Sequence, residues 1–128
     1  MKYLKIVIAL LILSVFAPRI TSSAMVPKIN PCYMIKATYY CPNECCNGMW
    51  AGFATTGKKL EYGVVAIDPK YWEMGQKFKI KALDKEMVFS AEDTGSAIKG
   101  KCRMDICFNT HSEALSGHPE QVIVEVIN

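Results

Sequence analysis

Hydrophobic and polar positions alternate from Cys32 to Tyr40, with Tyr33, Ile35, Ala37 and Tyr39 set against Met34, Lys36, Thr38 and Tyr40. A period of two is that of a strand with one covered face. Gly63 to Ile67 is apolar throughout, the pattern of a buried strand, and Pro69 stops it because proline cannot donate to a sheet ladder. Phe78–Leu83 and Met87–Ala91 read as a hairpin around Asp84 and Lys85, with KFKIKALDK charged on alternate positions as an exposed face would be. Cys102–Phe108 and Gln121–Ile127 complete six strands. Between those last two, Thr110 and Glu113 have capping-box spacing, which predicts one short helix that covers the core with Ala114 and Leu115. Six short strands and one helix imply a small all-β domain, and a closed barrel would remove its exposed edges.

The long stretch CPNECCNGMWAGFATTGKK, from Cys41 to Lys59, is rich in turn residues and reads as a loop that needs bridges to be ordered. Trp50 and Phe53 within it are expected to form a small satellite core over the barrel, with a sugar-stacking surface as the alternative.

The first 24 residues stand apart from this pattern. Lys2 and Lys5 precede an apolar run from Ile6 to Ala17, too short to span a bilayer at about 20 residues, and Ser22 and Ala24 give a small-x-small cleavage signal. Residues 1–24 are therefore expected to be a secretory signal peptide and residues 25–128 a single domain, secreted and monomeric, with no stable membrane association. Lys2, Lys5 and Arg19 would leave with the signal, so twelve basic residues face twelve acidic ones. That balance offers no basic face for nucleic acid.

All six cysteines, Cys32, Cys41, Cys45, Cys46, Cys102 and Cys107, fall in the mature part, and an even count in a short exported chain favours disulfides. Cys45 and Cys46 are neighbours, and Cys102 and Cys107 point to opposite faces if both lie in one strand, so neither pair is expected to bridge. Ten pairings stay open, and in each of them Cys102 and Cys107 are tied back to the N-terminal group. A zinc site made by Cys41, Cys45, Cys46 and a histidine is the competing reading. It is set aside because C-x3-C-C is no standard finger spacing and His111 and His118 are far along the chain. No metal and no cofactor is expected.

The chemistry is expected at three aspartates. Asp68 ends its strand at Pro69, Asp93 is followed by Thr94 and Gly95, and Asp105 lies between Met104 and Ile106, with spacings of 25 and 12 residues. Gly95 is expected to turn the chain through a positive φ. A carboxylate in a strand-like apolar run is costly to bury unless a function requires it, which singles out Asp105.

At these residues the chain resembles the three-aspartate (3D) domain family, found in peptidoglycan-cleaving lytic transglycosylases such as the membrane-bound A type and in small secreted Gram-positive proteins. The likeness runs from Lys36 to Ile127 through KATYYCPNECC, ATTG, GVVAIDPKYWEMGQKFKI, AEDTGSAIKG, MDICF, HSEAL and VIVEVI. It implies a six-stranded double-psi β-barrel and a secreted enzyme that cuts cell-wall glycan with formation of 1,6-anhydro-muramic ends. Asp105 would be the acid/base, with Asp93 and Asp68 tuning it or holding the sugar. Thr94, Gly95 and Lys99 would contact the substrate, and Tyr39 or Trp72 would offer a stacking face. Gly95-Ser96 replaces the family's usual Gly-Gly, and one extra residue precedes Asp105. The alternatives are a non-catalytic carbohydrate-binding or wall-loosening module of expansin or barwin type, and a secreted inhibitor or effector.

Overall fold

The computed structural model describes residues 30–128, so the expected signal peptide and its cleavage site lie outside the described residues. The strands are β1 (Cys32–Tyr40), β2 (Val64–Ala66), β3 (Lys77–Ile80), β4 (Asp84–Asp93), β5 (Arg103–Cys107) and β6 (Gln121–Ile127). Two short helices, α1 (Glu44–Asn47) and α2 (His111–Ala114), accompany them. The strands close into a barrel in the order β1-β5-β2-β4-β3-β6. β1 pairs with β5 and β2 with β4 in parallel, while the other four pairings are antiparallel.

The period-two pattern decides which side of each strand faces the barrel interior. Ile35 and Ala37 of β1, Phe78 and Ile80 of β3, Phe89 and Ala91 of β4, Met104 and Ile106 of β5, and Val122, Val124 and Val126 of β6 make one buried cluster. Each large member contributes about 1.5–3 kcal/mol by leaving water. Trp72 belongs to this core: it sits edge-on to Tyr33 and Phe78 at 5.3 and 5.4 Å, and its Nε1 donates to the Lys101 carbonyl at 3.0 Å. A smaller cluster, including Tyr40, Leu60, Val64 and Ala66, lies on the outer side of the sheet.

The predicted hairpin forms with its turn displaced. Asp84 opens β4, and its Oδ1 accepts from the Glu86 and Met87 amides, so the chain reverses earlier than Asp84-Lys85. α2 carries the capping box read from Thr110 and Glu113, with both reciprocal bonds made. Gly95 departs from expectation, because it is not among the glycines with positive φ. Its missing side chain admits Ile98 instead, whose Cγ1 would stand 3.0 Å from an added Cβ.

The cysteines also differ from expectation, since all six are free thiols. Cys102 lies before β5 rather than within it and is exposed, Cys107 is buried at the strand's end, and Cys32 is exposed at the start of β1. The three sulfurs of the long loop approach one another to 3.2–4.0 Å, well beyond bonding distance. That loop is ordered without bridges. It forms α1 and a 3-10 turn at Gly48–Trp50, pairs Phe53 with Lys59, and is tied by Gly52 N–H to the Pro42 carbonyl at 2.9 Å.

Candidate active site

Strand β2 lies between β5 and β4, and its register puts Ala66 opposite Asp105 on one side and opposite Asp93 on the other. Thr38 of β1 stands opposite Asp105 on the far side of β5. Thr38, Asp105, Ala66 and Asp93 thus form a row across four strands. With Met104 and Ile106 turned inward, Asp105 must face outward. Two strand spacings put the aspartate α-carbons about 9.5–10 Å apart. Only the methyl group of Ala66 stands between them. The space above is an open cleft of about 800 Å³, lined by Asp93, Asp105, Thr94, Gly95 and Lys99 together with Trp50 and Phe53 of the long loop.

A bulge aims Asp93. Val65 pairs with Ala91 but Ala66 pairs with Asp93, so Glu92 is the extra residue on β4 and the alternation shifts there. Asp93 is buried at the cleft wall. Its Oδ2 accepts from the Tyr40 hydroxyl at 2.7 Å, and its Oδ1 accepts from both the amide and the hydroxyl of Thr55 at 3.0 Å. The Thr55 hydroxyl also meets that of Thr94 at 2.8 Å. Glu92, on the same bulge, is buried with Lys58 at 2.8 Å and Thr56 at 3.0 Å, and takes a bond from the Ser90 hydroxyl. Burial alone would raise its carboxyl, but Lys58, Ser90 and Thr56 together hold it down at about 2.

Asp105 has the opposite environment. Burial pushes its carboxyl above the usual carboxylate range and the charge of Asp93 adds to this, while Thr38 and Arg103 pull the other way. Its Oδ1 is buried and has no hydrogen-bond partner among the described residues. A carboxyl that holds its proton more tightly than usual, with a free oxygen at a cleft, suits a general acid.

Asp68 lies outside the cleft lining. Its Oδ2 accepts from the Gly100 amide at 2.8 Å and its Oδ1 from the Lys70 amide at 3.1 Å, so it fastens the turn after β2 to the loop before β5. Those two amides, Gly100 first, hold its carboxyl below the usual range. Tyr39 and Trp72 also lie away from the cleft. Tyr39 occupies an inward register position, packs on Phe108 and His118, and donates to the Pro119 carbonyl at 2.6 Å. The exposed aromatics at the cleft are instead Trp50 and Phe53, 75% and 66% accessible, so the satellite core expected of them does not form.

The residues not anticipated from the sequence are Tyr40, Thr55 and Ala66 in the cleft lining, and Glu92 on the bulge behind Asp93. Tyr40 had a legible signal, a tyrosine on the polar face of β1 two positions from Thr38. Ala66 and Thr55 gain their roles only from register and loop path.

A family model described as the 3D domain matches residues 63–127, just over half of the chain. The chain belongs to the 3D-domain family. The matched 3D domain span holds Asp68, Asp93 and Asp105, whereas Tyr40, Thr55, Trp50 and Phe53 precede it. Among solved structures the chain is similar to the lytic transglycosylase LtgG of Burkholderia pseudomallei, with 22% identity and a TM-score of 0.46. That likeness covers 57% of this chain and 25% of the other, so the chain spans about a quarter of that protein's length. No curated protein matches the chain.

Proposed function

We propose that this 3D-domain protein is an exported enzyme that cleaves the glycan strands of peptidoglycan by lytic transglycosylation, with Asp105 as acid and then base. The observation that carries the reading is the pairing of Asp105 and Asp93 across Ala66 in one open cleft, with Asp105 raised by burial and by its neighbour. An inhibitor or effector has no reason to hold two carboxyls together there.

In the proposed reaction, Asp105 donates its proton to the glycosidic oxygen as the bond to the anomeric carbon of N-acetylmuramic acid breaks. The positive charge that develops on the sugar then faces two carboxylates, Asp105 and Asp93. Asp105 next takes the proton from the sugar's own 6-hydroxyl, whose oxygen bonds to the anomeric carbon. The products are a 1,6-anhydro end and a released glycan, and no water is consumed. A single carboxyl serves both steps because the nucleophile belongs to the substrate. Tyr40 and Thr55 fix Asp93, Thr94 and Lys99 line the cleft for sugar contacts, and Trp50 and Phe53 offer faces on which sugar rings can stack. The two parallel pairs, β1 with β5 and β2 with β4, fit the double-psi arrangement proposed for the barrel. The protein acts as a monomer.

The test is digestion of purified peptidoglycan with product masses read directly. Anhydro ends, one water lighter than hydrolysed reducing ends, support the reading. Hydrolysed ends alone would keep the enzyme and overturn the mechanism. Glycan binding without release would favour the binding module, which the exposed Trp50 and Phe53 also suit.

A further inference from the structure

The long loop and helix α2 bring together a second group of reactive side chains beside the cleft. Cys41 follows the last residue of β1, Cys45 and Cys46 lie on α1, and His111 is the first residue of α2. The Sγ atoms of Cys41 and Cys45 are 3.4 Å apart, those of Cys41 and Cys46 3.2 Å, and those of Cys45 and Cys46 4.0 Å. The Nδ1 of His111 stands 3.7, 3.5 and 3.7 Å from the sulfurs of Cys41, Cys45 and Cys46. A disulfide would need about 2.05 Å, and three thiols cannot all pair with one another. A tetrahedral zinc ion, with Zn–S of about 2.3 Å and Zn–N of about 2.0–2.1 Å, requires S···S edges of about 3.8 Å and S···N edges of about 3.5–3.6 Å. The six edges of this group scatter around those values.

We propose that Cys41, Cys45, Cys46 and His111 bind one zinc ion in a closed Cys3His site. Soft thiolates with one imidazole select zinc over magnesium or calcium, and four protein ligands leave no position for a substrate. The site is structural, and each thiol gives up its proton when the ion binds. Its supports are already in place. The Asn47 side-chain amide donates to the carbonyls of Cys41 and Asn43, which fixes the turn carrying the thiols. The capping box of Thr110 and Glu113 fixes the start of α2 and with it the His111 ring. The ion would join the end of β1, next to Tyr40, and the loop carrying Trp50 and Phe53 to α2. It would hold the cleft rim without entering the chemistry. In metal-bound protein, three of the six cysteines are then ligands and not disulfide partners, which reverses the expectation of no metal at these residues.

The inference does not depend on the glycan-cleaving reading, and its test reads metal directly. The full chain is purified without chelator, and its zinc content, intact mass and free thiols are measured. Wild-type protein is expected to hold close to one zinc per chain. Cys45→Ser and His111→Ala, both at exposed positions, should lose most of it, while Cys102→Ser keeps it. Cobalt in place of zinc should give the intense thiolate charge-transfer and tetrahedral ligand-field bands. A strong chelator should lower the melting temperature, with recovery on added zinc and none on magnesium. Folded wild-type protein with no zinc and no cobalt spectrum, a mass two hydrogens light from a bridge among these three cysteines, or a Cys45→Ser protein with full zinc would each overturn the proposal.

Discussion

Replacing Glu92 with Gln tests whether the bulge that aims Asp93 is held by charge. Glu92 is 4% accessible and bonds Lys58, Thr56 and Ser90, so Glu92→Gln keeps the shape while removing the charge that Lys58 meets at 2.8 Å. A carboxyl moved from 4.5 to about 2 corresponds to about 3 kcal/mol at 1.36 kcal/mol for each tenfold change in acidity. Lys58 is 61% exposed, so screening by solvent reduces this to about 1–2 kcal/mol. Because the folded-state value is depressed, the contribution is complete above about 4.5 and is lost as the pH falls towards about 2. Urea titrations of both proteins between neutral and acid pH measure it. The wild type should unfold at about 1 M higher urea near neutrality for a chain of this size, with the gap closing below about pH 4.5. A gap that stays constant with pH would show that packing, not charge, sets the difference.

Further outcomes follow from the cleft. Tyr40→Phe removes a 2.7 Å bond to a carboxylate and should cost about 1.5–3 kcal/mol in stability by denaturant titration, with a fall in turnover because Asp93 loses one of its holders. Trp50→Ala should leave stability within about 0.5 kcal/mol, since the ring is exposed, yet weaken binding of muropeptides roughly tenfold by calorimetric titration. Arg103 lowers the acidity threshold of Asp105, so Arg103→Gln should move the alkaline limb of the kcat/KM profile to higher pH. An unmoved limb would mean that another group titrates.

The strands were legible because alternation in β1, β3, β5 and β6 is a local property, and α2 because its cap is written in two residues. The turn of the β3–β4 hairpin falls a few residues before the one its sequence suggests, since Asp84 suits both a turn and the bonds it makes inside β4. Asp93 and Asp105 could be nominated from their neighbours, but their meeting depends on Ala66 lying between them, and strand order is not carried by any one segment. The sequence offers Tyr39 or Trp72 as a stacking face, and packing places both elsewhere: alternation turns Tyr39 inward while Tyr40 takes the cleft, and Trp72 joins the barrel core. The cysteines misled because even counts in exported chains favour disulfides, whereas Cys41, Cys45 and Cys46 come together with a histidine 65 residues beyond Cys46.

The central claim is that Asp105 transfers the proton. Asp105→Asn keeps the size of the side chain and removes the acid, and loss of an awkwardly buried carboxyl should leave the fold intact. Rates of release of anhydro-muropeptides from purified peptidoglycan, compared for wild type and variant at equal folded concentration, measure the claim directly. The account predicts a drop of about 100-fold to 10,000-fold, the range typical of general acid–base catalysis. An Asp105→Asn protein that releases anhydro products at the wild-type rate would contradict it.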